Sequence, residues 1–200
     1  MRQEPAGRPS EARSRLLATA TRIFYTEGIH SVGIDRIVAE AHVTRATLYR
    51  HFSSKEDLVL AYLAEVDQAT RAQVDDAVTR RLAATDTVRA LGESIAQGIR
   101  SPGFRGCAFL NAAAEYPDPD HPVHKAVLAH RQWFLDTVTE LLARVGEAPA
   151  EPAARHFVML RDGAMAAGCL FDPELICETF LRGVDGLLDA HAAAGSVRPA

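Results

Sequence analysis

Apolar residues recur at every third or fourth position along nearly the whole chain, while the strict apolar–polar alternation of a half-buried strand is almost absent. That pattern predicts an all-α fold. Ser10 is placed to cap a first helix whose Leu16, Leu17, Ala20, Ile23 and Phe24 share one face, and Gly28 stands at its C′ end. A short helix is expected from about Gly33 to Ala41, burying Ile34, Ile37 and Val38, and a second from Thr44 to about Phe52. Only His42 and Val43 separate them. Thr44 is a good N-cap, and Val43 with Leu48 has the spacing of a hydrophobic staple, so the join reads as a tight, defined turn. Ser53 with Glu56 has the capping-box spacing, Ser54 is equally well placed to cap, and either starts a long helix to about Arg81. Beyond Ala84, helices are expected at roughly 86–100, 105–115, 122–145, 151–171 and 174–193, because prolines and glycines punctuate the joints between them.

Composition removes several classes. With 48% apolar and 24% charged residues among 200, the chain is neither disordered nor collagen-like nor a single coiled coil. It lacks the run of roughly 18 apolar residues that a membrane helix requires. Its start, with charges and prolines where a signal peptide has an apolar stretch, leads us to expect a cytoplasmic protein. Cys107, Cys169 and Cys177 show no CxxC spacing, so free and mostly buried thiols are expected rather than disulfides or a zinc knuckle. The net charge of −4 conceals an asymmetry. Residues 1–55 carry nine Lys/Arg against five acids, a net of +4, which leaves thirteen against twenty-one, a net of −8, in the rest. A basic segment joined to a larger acidic one suggests two tasks, the first at a polyanion.

Three short amphipathic segments, the last two joined by a tight turn and carrying that basic charge, fit a helix-turn-helix that lays its later helix in the major groove of double-stranded DNA. Leu48 is expected to face inward. Arg45 and Thr47 near the helix start can reach base edges, with Arg able to grip guanine bidentately. Tyr49, His51 and Lys55 lie where they can meet phosphates, beside the backbone N–H groups near Thr44. Residues 18–63 resemble the TetR family of transcriptional regulators, above all in Val43-Thr44-Arg45-Ala46-Thr47-Leu48-Tyr49-Arg50-His51-Phe52 followed by Ser54-Lys55-Glu56-Asp57-Leu58. The resemblance implies a flexible tail over 1–9, a DNA-binding domain over 10–53 with its motif at about 33–52, and a ligand-binding and dimerisation domain over 54–200. It also implies a homodimer that binds a palindromic operator, usually released by a small-molecule effector. Carried over position by position, it puts Thr44, Tyr49, His51 and Lys55 on the DNA backbone and Arg45, Ala46 and Thr47 at the bases. Gly33, Arg36 and Arg50 complete the DNA-facing set, and no cofactor is implied. Two departures stand out: Gly33 where the family commonly has Ser or Thr, and His42 where it commonly has Gly. His is among the residues enriched at positive φ. Arg2 and Arg8 could reach the minor groove as an arm, although a tail without contacts is the favoured reading.

In the acidic part, two helices carry wide apolar faces with small residues between them. Phe157, Leu160, Ala164, Ala167, Gly168 and Leu170 on one, and Leu175, Ile176, Phe180, Val184, Leu187 and Leu188 on the next, are expected to build a two-fold interface of four helices, with a monomeric core as the alternative. Tyr62, Phe104, Cys107, Phe109, Leu110, Asn111, Trp133 and Phe134 are the candidate walls of an effector pocket, with ordinary core packing as the competing account. His121 and His124, beside Asp118 and Asp120, invite a metal site, but Pro119 and Pro122 favour a turn and helix start capped by Asp120, and no metal is expected. GxSxG, P-loop, HExxH and dinucleotide motifs are all missing, so the chain does not read as an enzyme. Two alternatives to the effector-released repressor stay open: a DNA binder without effector, and a sensor responding to redox state through Cys107 or to a metal.

Overall fold

In a computed structural model, which describes residues 10–80 and 82–196, nine α-helices and their connections account for those residues, with no strand among them. Arg2 and Arg8 lie outside the described residues. The chain divides into two units, one holding residues up to Val66 together with Asn111–Val127, the other Asp67–Leu110 together with residues from Leu128 on.

The first unit is built by α1 (Glu11–Glu27), α2 (Ile34–Glu40), α3 (Arg45–His51), the early turns of α4 (Lys55–Thr79), the last turn of α6 (Ala108–Glu115) and the start of α7 (Pro122–Leu142). Ser10 caps α1 by accepting from the Arg13 N–H at 3.3 Å, and Gly28, at φ 91°, closes it by donating to the Phe24 carbonyl. Leu16, Ala20, Ile23 and Phe24 face inward as the spacing requires, joined by Ile37 and Val38 of α2 and Leu48 of α3; Ile34 is only half-buried. The expected domain break near Ser54 is displaced for a packing reason. The early turns of α4 bury Leu58, Val59, Tyr62 and Leu63, and the Tyr62 ring packs on Phe24 with centroids 5.9 Å apart, so α4 completes the core of this unit before it leaves. Ser54, not Ser53, caps α4, accepting from the Asp57 N–H at 3.0 Å, while the Ser53 hydroxyl pairs with the Asp57 carboxylate. Asp120 does not cap α7. His121 takes that place, its Nδ1 accepting from Val123 N–H at 3.2 Å and its carbonyl from Lys125 N–H, while Asp120 pairs with Lys125.

The second unit contains the rest of α4, α5 (Ala84–Arg100), the start of α6, most of α7, α8 (Ala150–Ala167) and α9 (Pro173–Ser196). Helix α9 lies against both α5 and α8. Phe134, Phe157 and Phe180 run through its core as successive ring contacts at 6.5 and 6.2 Å. Helix α6 starts three residues later than the periodicity suggests, because Gly103 (φ 78°) and Gly106 (φ 84°) hold left-handed conformations that an α-helix cannot contain. Helix α8 stops at Ala167 rather than near 171. Gly168 is its cap, and a Cβ there would stand 2.6 Å from the Ile99 side chain, so a close approach of α8 to α5 accounts for the glycine.

The turn between α2 and α3 is a Schellman closure. Val43 N–H donates to the Val38 carbonyl at 3.0 Å and His42 N–H to the Ala39 carbonyl at 3.2 Å, which requires a left-handed residue between them. His42 is that residue, at φ 52°. A side chain with a Cβ costs roughly 1–2 kcal/mol in this conformation. His42→Gly should therefore raise the urea midpoint of unfolding by the equivalent of about 1 kcal/mol, while His42→Val, β-branched, should lower it; an unchanged midpoint in both variants would show that the turn carries no such strain.

Candidate nucleic-acid interface

Helix α3 is seven residues long and fully buries one side chain, Leu48. Both ends are tied. The Thr44 hydroxyl accepts from the Thr47 N–H at 3.1 Å and lies 3.0 Å from the Thr47 hydroxyl, and Phe52 N–H closes the last turn on the Leu48 carbonyl. Arg45, Ala46, Tyr49 and Arg50 are exposed around that single anchor, with Thr47 and His51 half-buried. His51 Nε2 sits 3.1 Å from the Ser10 hydroxyl, and Arg13 stacks over the Phe52 ring at 5.0 Å, so the end of α3 is braced by the start of α1.

The cations expected at DNA divide into two kinds. Arg36 has all three guanidinium nitrogens engaged: Nε with Glu40 at 2.8 Å, and Nη1 and Nη2 with Glu27. Arg22 adds a second bond to Glu40. These bonds hold the Arg36 pKa above its ordinary value, Glu40 contributing most and then Glu27. Arg36 thus ties α2 to α1 rather than standing free. Arg45 pairs with Asp35 of α2 through its Nε and Nη2 only, and both side chains are well exposed. Gly33 caps α2 without a side-chain bond, and a Cβ there would meet nothing within 4 Å.

Lys55 is half-buried. Its Nζ donates to the Ile29 carbonyl at 2.7 Å and lies 6.0 Å from the Phe24 ring centroid, and burial pushes its pKa down. The same turn is held from the other side by a residue that sequence reading missed. Glu115, the last residue of α6, accepts from Ile29 N–H at 2.8 Å and from His30 N–H at 2.6 Å. Beyond it the Tyr116 ring lies between His30 and His121, with centroids 4.7 and 4.5 Å away, and His121 Nε2 reaches Glu56 at 3.1 Å. No local pattern announces Glu115, because its partners are more than eighty positions away in the chain.

The suggested pocket residues fall into separate places. Tyr62 belongs to the first unit's core, and Asn111 is exposed. Phe104 and Leu110 are half-buried, and Phe104 packs on the second unit's core. The others gather around His130 in the second unit, a residue the sequence reading did not single out. The Phe109 ring stacks on His130 at 3.6 Å, Trp133 is 5.5 Å from it, and Arg71 lies over Trp133 at 4.0 Å. Arg161, buried, lies 4.8 Å from the Phe134 centroid and donates to Cys107 Sγ at 3.8 Å and to Asp162 at 2.9 Å. His130 Nδ1 is 2.6 Å from Asp67, but its Nε2, fully buried, has no hydrogen-bond partner. Burial lowers the His130 pKa against the pull of Asp67, so the neutral ring is favoured. Burial opposes the Asp67 charge, yet its bonds to Arg71 and His130 keep the carboxyl below its usual range.

Half of the expected interface residues of α8 and α9 are buried in the subunit, while Leu170 and Leu175 are exposed. Phe157, Ala164, Phe180, Val184, Leu187 and Leu188 are buried in the second unit's own core, though Ala164 and Phe180 also line a surface groove, and Gly168, half-buried, packs on Ile99. Leu160 and Ala167 are half-buried. The apolar surface left open is Met159, Leu170, Phe171 and Leu175, and Leu160, Gly163, Ala167 and Ile176 line a groove of about 390 Å³ beside it. Cys107 and Cys177 are buried as expected, but Cys169 is exposed. His124 Nδ1 meets the Tyr116 carbonyl at 2.7 Å while His121 serves α7 and Glu56, and no metal-holding cluster occurs among the described residues. No helix among them is long and apolar enough to cross a membrane.

With this geometry in view, the relatives are informative. Residues 16–62 match the family model for bacterial regulatory proteins of the tetR family. The crystal structure of SCO4454, a TetR-family transcriptional regulator from Streptomyces coelicolor, is 73% identical and superposes with a TM-score of 0.90 over 92% of this chain and 97% of that one. The HTH-type transcriptional activator FasR of Mycolicibacterium smegmatis is 45% identical over 53 residues, 26% of this chain and 24% of FasR. The HTH-type transcriptional regulator YjdC of Escherichia coli is 22% identical over 77% of this chain and 81% of its own length. The chain belongs to the TetR family of transcriptional regulators, which are DNA-binding proteins and not enzymes.

Proposed function

We propose that this protein is a repressor that binds a palindromic operator as a homodimer and is released by a small-molecule effector. The observation that carries the DNA-binding part is α3 itself: one buried anchor, two tied ends and a crown of exposed Arg45, Ala46, Tyr49 and Arg50. Such a helix suits the major groove, with Arg45, Ala46 and Thr47 at base edges and Thr44, Tyr49, His51 and Lys55 on phosphates. Arg50 and Gly33 border that surface. Lys55 acts through a charge that is already oriented by the Ile29 carbonyl, and Glu115 supports the same turn. FasR is described as an activator, so the sign of regulation is the part of this reading that a promoter assay must decide.

The homodimer rests on the open face of α8 and α9, where Met159, Leu170, Phe171 and Leu175 stay exposed and Gly163 leaves room for another backbone. A two-fold interface there would present two recognition helices to two half-sites. The effector site rests on the cluster of Phe109, His130, Trp133, Phe134 and Arg161, where a buried acceptor lacks a donor among aromatic walls. A ligand that prefers one arrangement of the dimer over another shifts the population by no more than its difference in affinity for the two. The protein would act in the cytoplasm, where the operator is.

Selection of duplexes from a random library by the full-length protein, followed by binding across salt concentrations, tests the reading: a palindrome supports it, and binding without sequence preference overturns it. Lys55→Ala should weaken all duplexes alike and reduce the slope of log affinity against log salt by about one. Glu115→Ala should raise amide exchange at Ile29 and His30 on the order of tenfold, since about 1–3 kcal/mol of bonding is lost, and should weaken operator binding; unchanged exchange would remove Glu115 as the support of that turn. Gly163→Glu should leave the melting temperature of the subunit no lower than that of the native chain, because a Cβ there meets nothing within 4 Å and a helical glycine is replaced, yet yield monomers in sedimentation. A dimer that persists would place the interface elsewhere. Trp133 is the one tryptophan, so a compound that releases the operator should change its emission, and a releasing compound that leaves emission untouched would move the effector site away from His130.

A further inference from the structure

Asp35 stands in the first turn of α2 and faces Arg45, the first residue of α3. A lone acid beside a recognition helix is at first sight out of place, because it repels the phosphates that the basic segment attracts. Its geometry gives it a use. Oδ1 accepts from Nε at 2.5 Å and Oδ2 accepts from Nη2, so the carboxylate grips the side-on edge of the guanidinium. A guanidinium has five N–H donors, and this grip consumes two of them. Of the remaining three, one on Nη1 and one on Nη2 form the end-on edge, which Asp35 leaves unoccupied, and the second on Nη1 lies on the Cδ side. Arg36 shows the contrast: carboxylates from two sides occupy all three of its nitrogens.

The end-on edge is a pair of parallel donors. In the major groove guanine presents two acceptors, O6 and N7, that match such a pair, whereas adenine replaces one of them by the N6 amino donor. A mobile arginine meets phosphates and bases in many poses, and it loses roughly 2 kcal/mol of rotamer freedom when it settles into one. An arginine already held by a carboxylate has fewer poses to lose and fewer ways to accommodate a wrong base. The exposure of both side chains keeps this edge open to a duplex. We propose that Asp35 is a specificity-determining positioning residue, which holds the Arg45 guanidinium side-on so that its end-on edge reads O6 and N7 of a guanine in each half-site. This rests on the reading of α3 as the recognition helix and of Arg45 as a base reader.

The test uses the full-length protein and a random duplex library, with affinities then measured on the recovered duplex and on its copy with the guanine replaced by adenine. The native chain should prefer guanine by roughly five- to 150-fold. Arg45→Ala should abolish that preference. Asp35→Asn keeps a side chain of the same shape but cannot accept from both Nε and Nη2, so it should lose most of the guanine preference while binding unrelated duplexes at least as tightly as the native chain, one negative charge having gone. A melting temperature unchanged from the native chain shows that the loss is not one of folding. Retention of the full guanine preference in Asp35→Asn would overturn the proposal, as would an equal loss of affinity for all duplexes. A preference that survives in Arg45→Ala would overturn it too, leaving the regulator intact with a different base reader. Absence of any sequence preference in the native chain would defeat the functional reading and this inference together.

Discussion

Leu48 is the one side chain that α3 buries completely, and the position of every other residue on that helix follows from it. Seven residues are too few to sustain a helix in water on their own. The helix exists because Leu48 is held in a core made by Leu16, Ala20, Ile23, Ile37 and Val38, and because Thr44 and Phe52 satisfy its ends. One anchor fixes position but resists rotation about itself poorly. The bracing contacts near the helix supply that resistance: His51 with Ser10, Arg13 with Phe52, and Arg45 with Asp35 all tie α3 or its cap to α1 or α2.

The charge balance acquires a meaning that counting alone does not supply. Four of the five acids in the first 55 residues, Glu11, Glu27, Asp35 and Glu40, pair with arginines of the same segment. Such exposed pairs contribute little stability each. Their effect is to sort the cations. Arg36 and Arg22 are spent on joining α1 to α2, whereas Arg45 is gripped on one edge only, and Lys55 is directed by a carbonyl instead of a carboxylate. A segment with a net charge of +4 thus presents a few oriented donors rather than a diffuse positive surface.

Local features were legible in the sequence where one residue determines its own backbone. Ser10 and Gly28 bound α1, Thr44 caps α3, and His42 is left-handed because the Schellman closure requires that conformation at its position. Reading failed where the determinant is remote. The periodicity of α8 and α9 identifies which residues are apolar but not which partner buries them, so the pattern points Phe157, Val184 and Leu188 to a second chain, whereas helices of their own subunit bury them. The break near Ser54 looked natural because a cap begins a helix there, yet Tyr62 packs back on Phe24 and carries the unit's core further along α4. Glu115 and His130 escaped notice for the same reason: each is an ordinary polar residue on a helix, and only the fold brings Ile29 or Asp67 beside it.

These two residues also separate the units by how each treats its polar groups away from the open surface. In the first unit the Glu115 carboxylate meets backbone N–H donors and Lys55 meets a backbone carbonyl, so the α1–α2 turn is closed from both sides. In the second, Asp67 holds the proton of the neutral His130 ring on Nδ1, which leaves Nε2 as an acceptor with nothing to accept. Such an orphan costs about 1–3 kcal/mol, a substantial share of a domain's margin of stability. Converting His130 to an apolar residue would remove that cost, and the Phe109 ring stacked at 3.6 Å would pack as well on a phenyl group. The imidazole is therefore a poor choice for packing alone. A donor arriving from outside the chain would meet a neutral, oriented acceptor at Nε2, which is the support for placing the proposed effector beside His130.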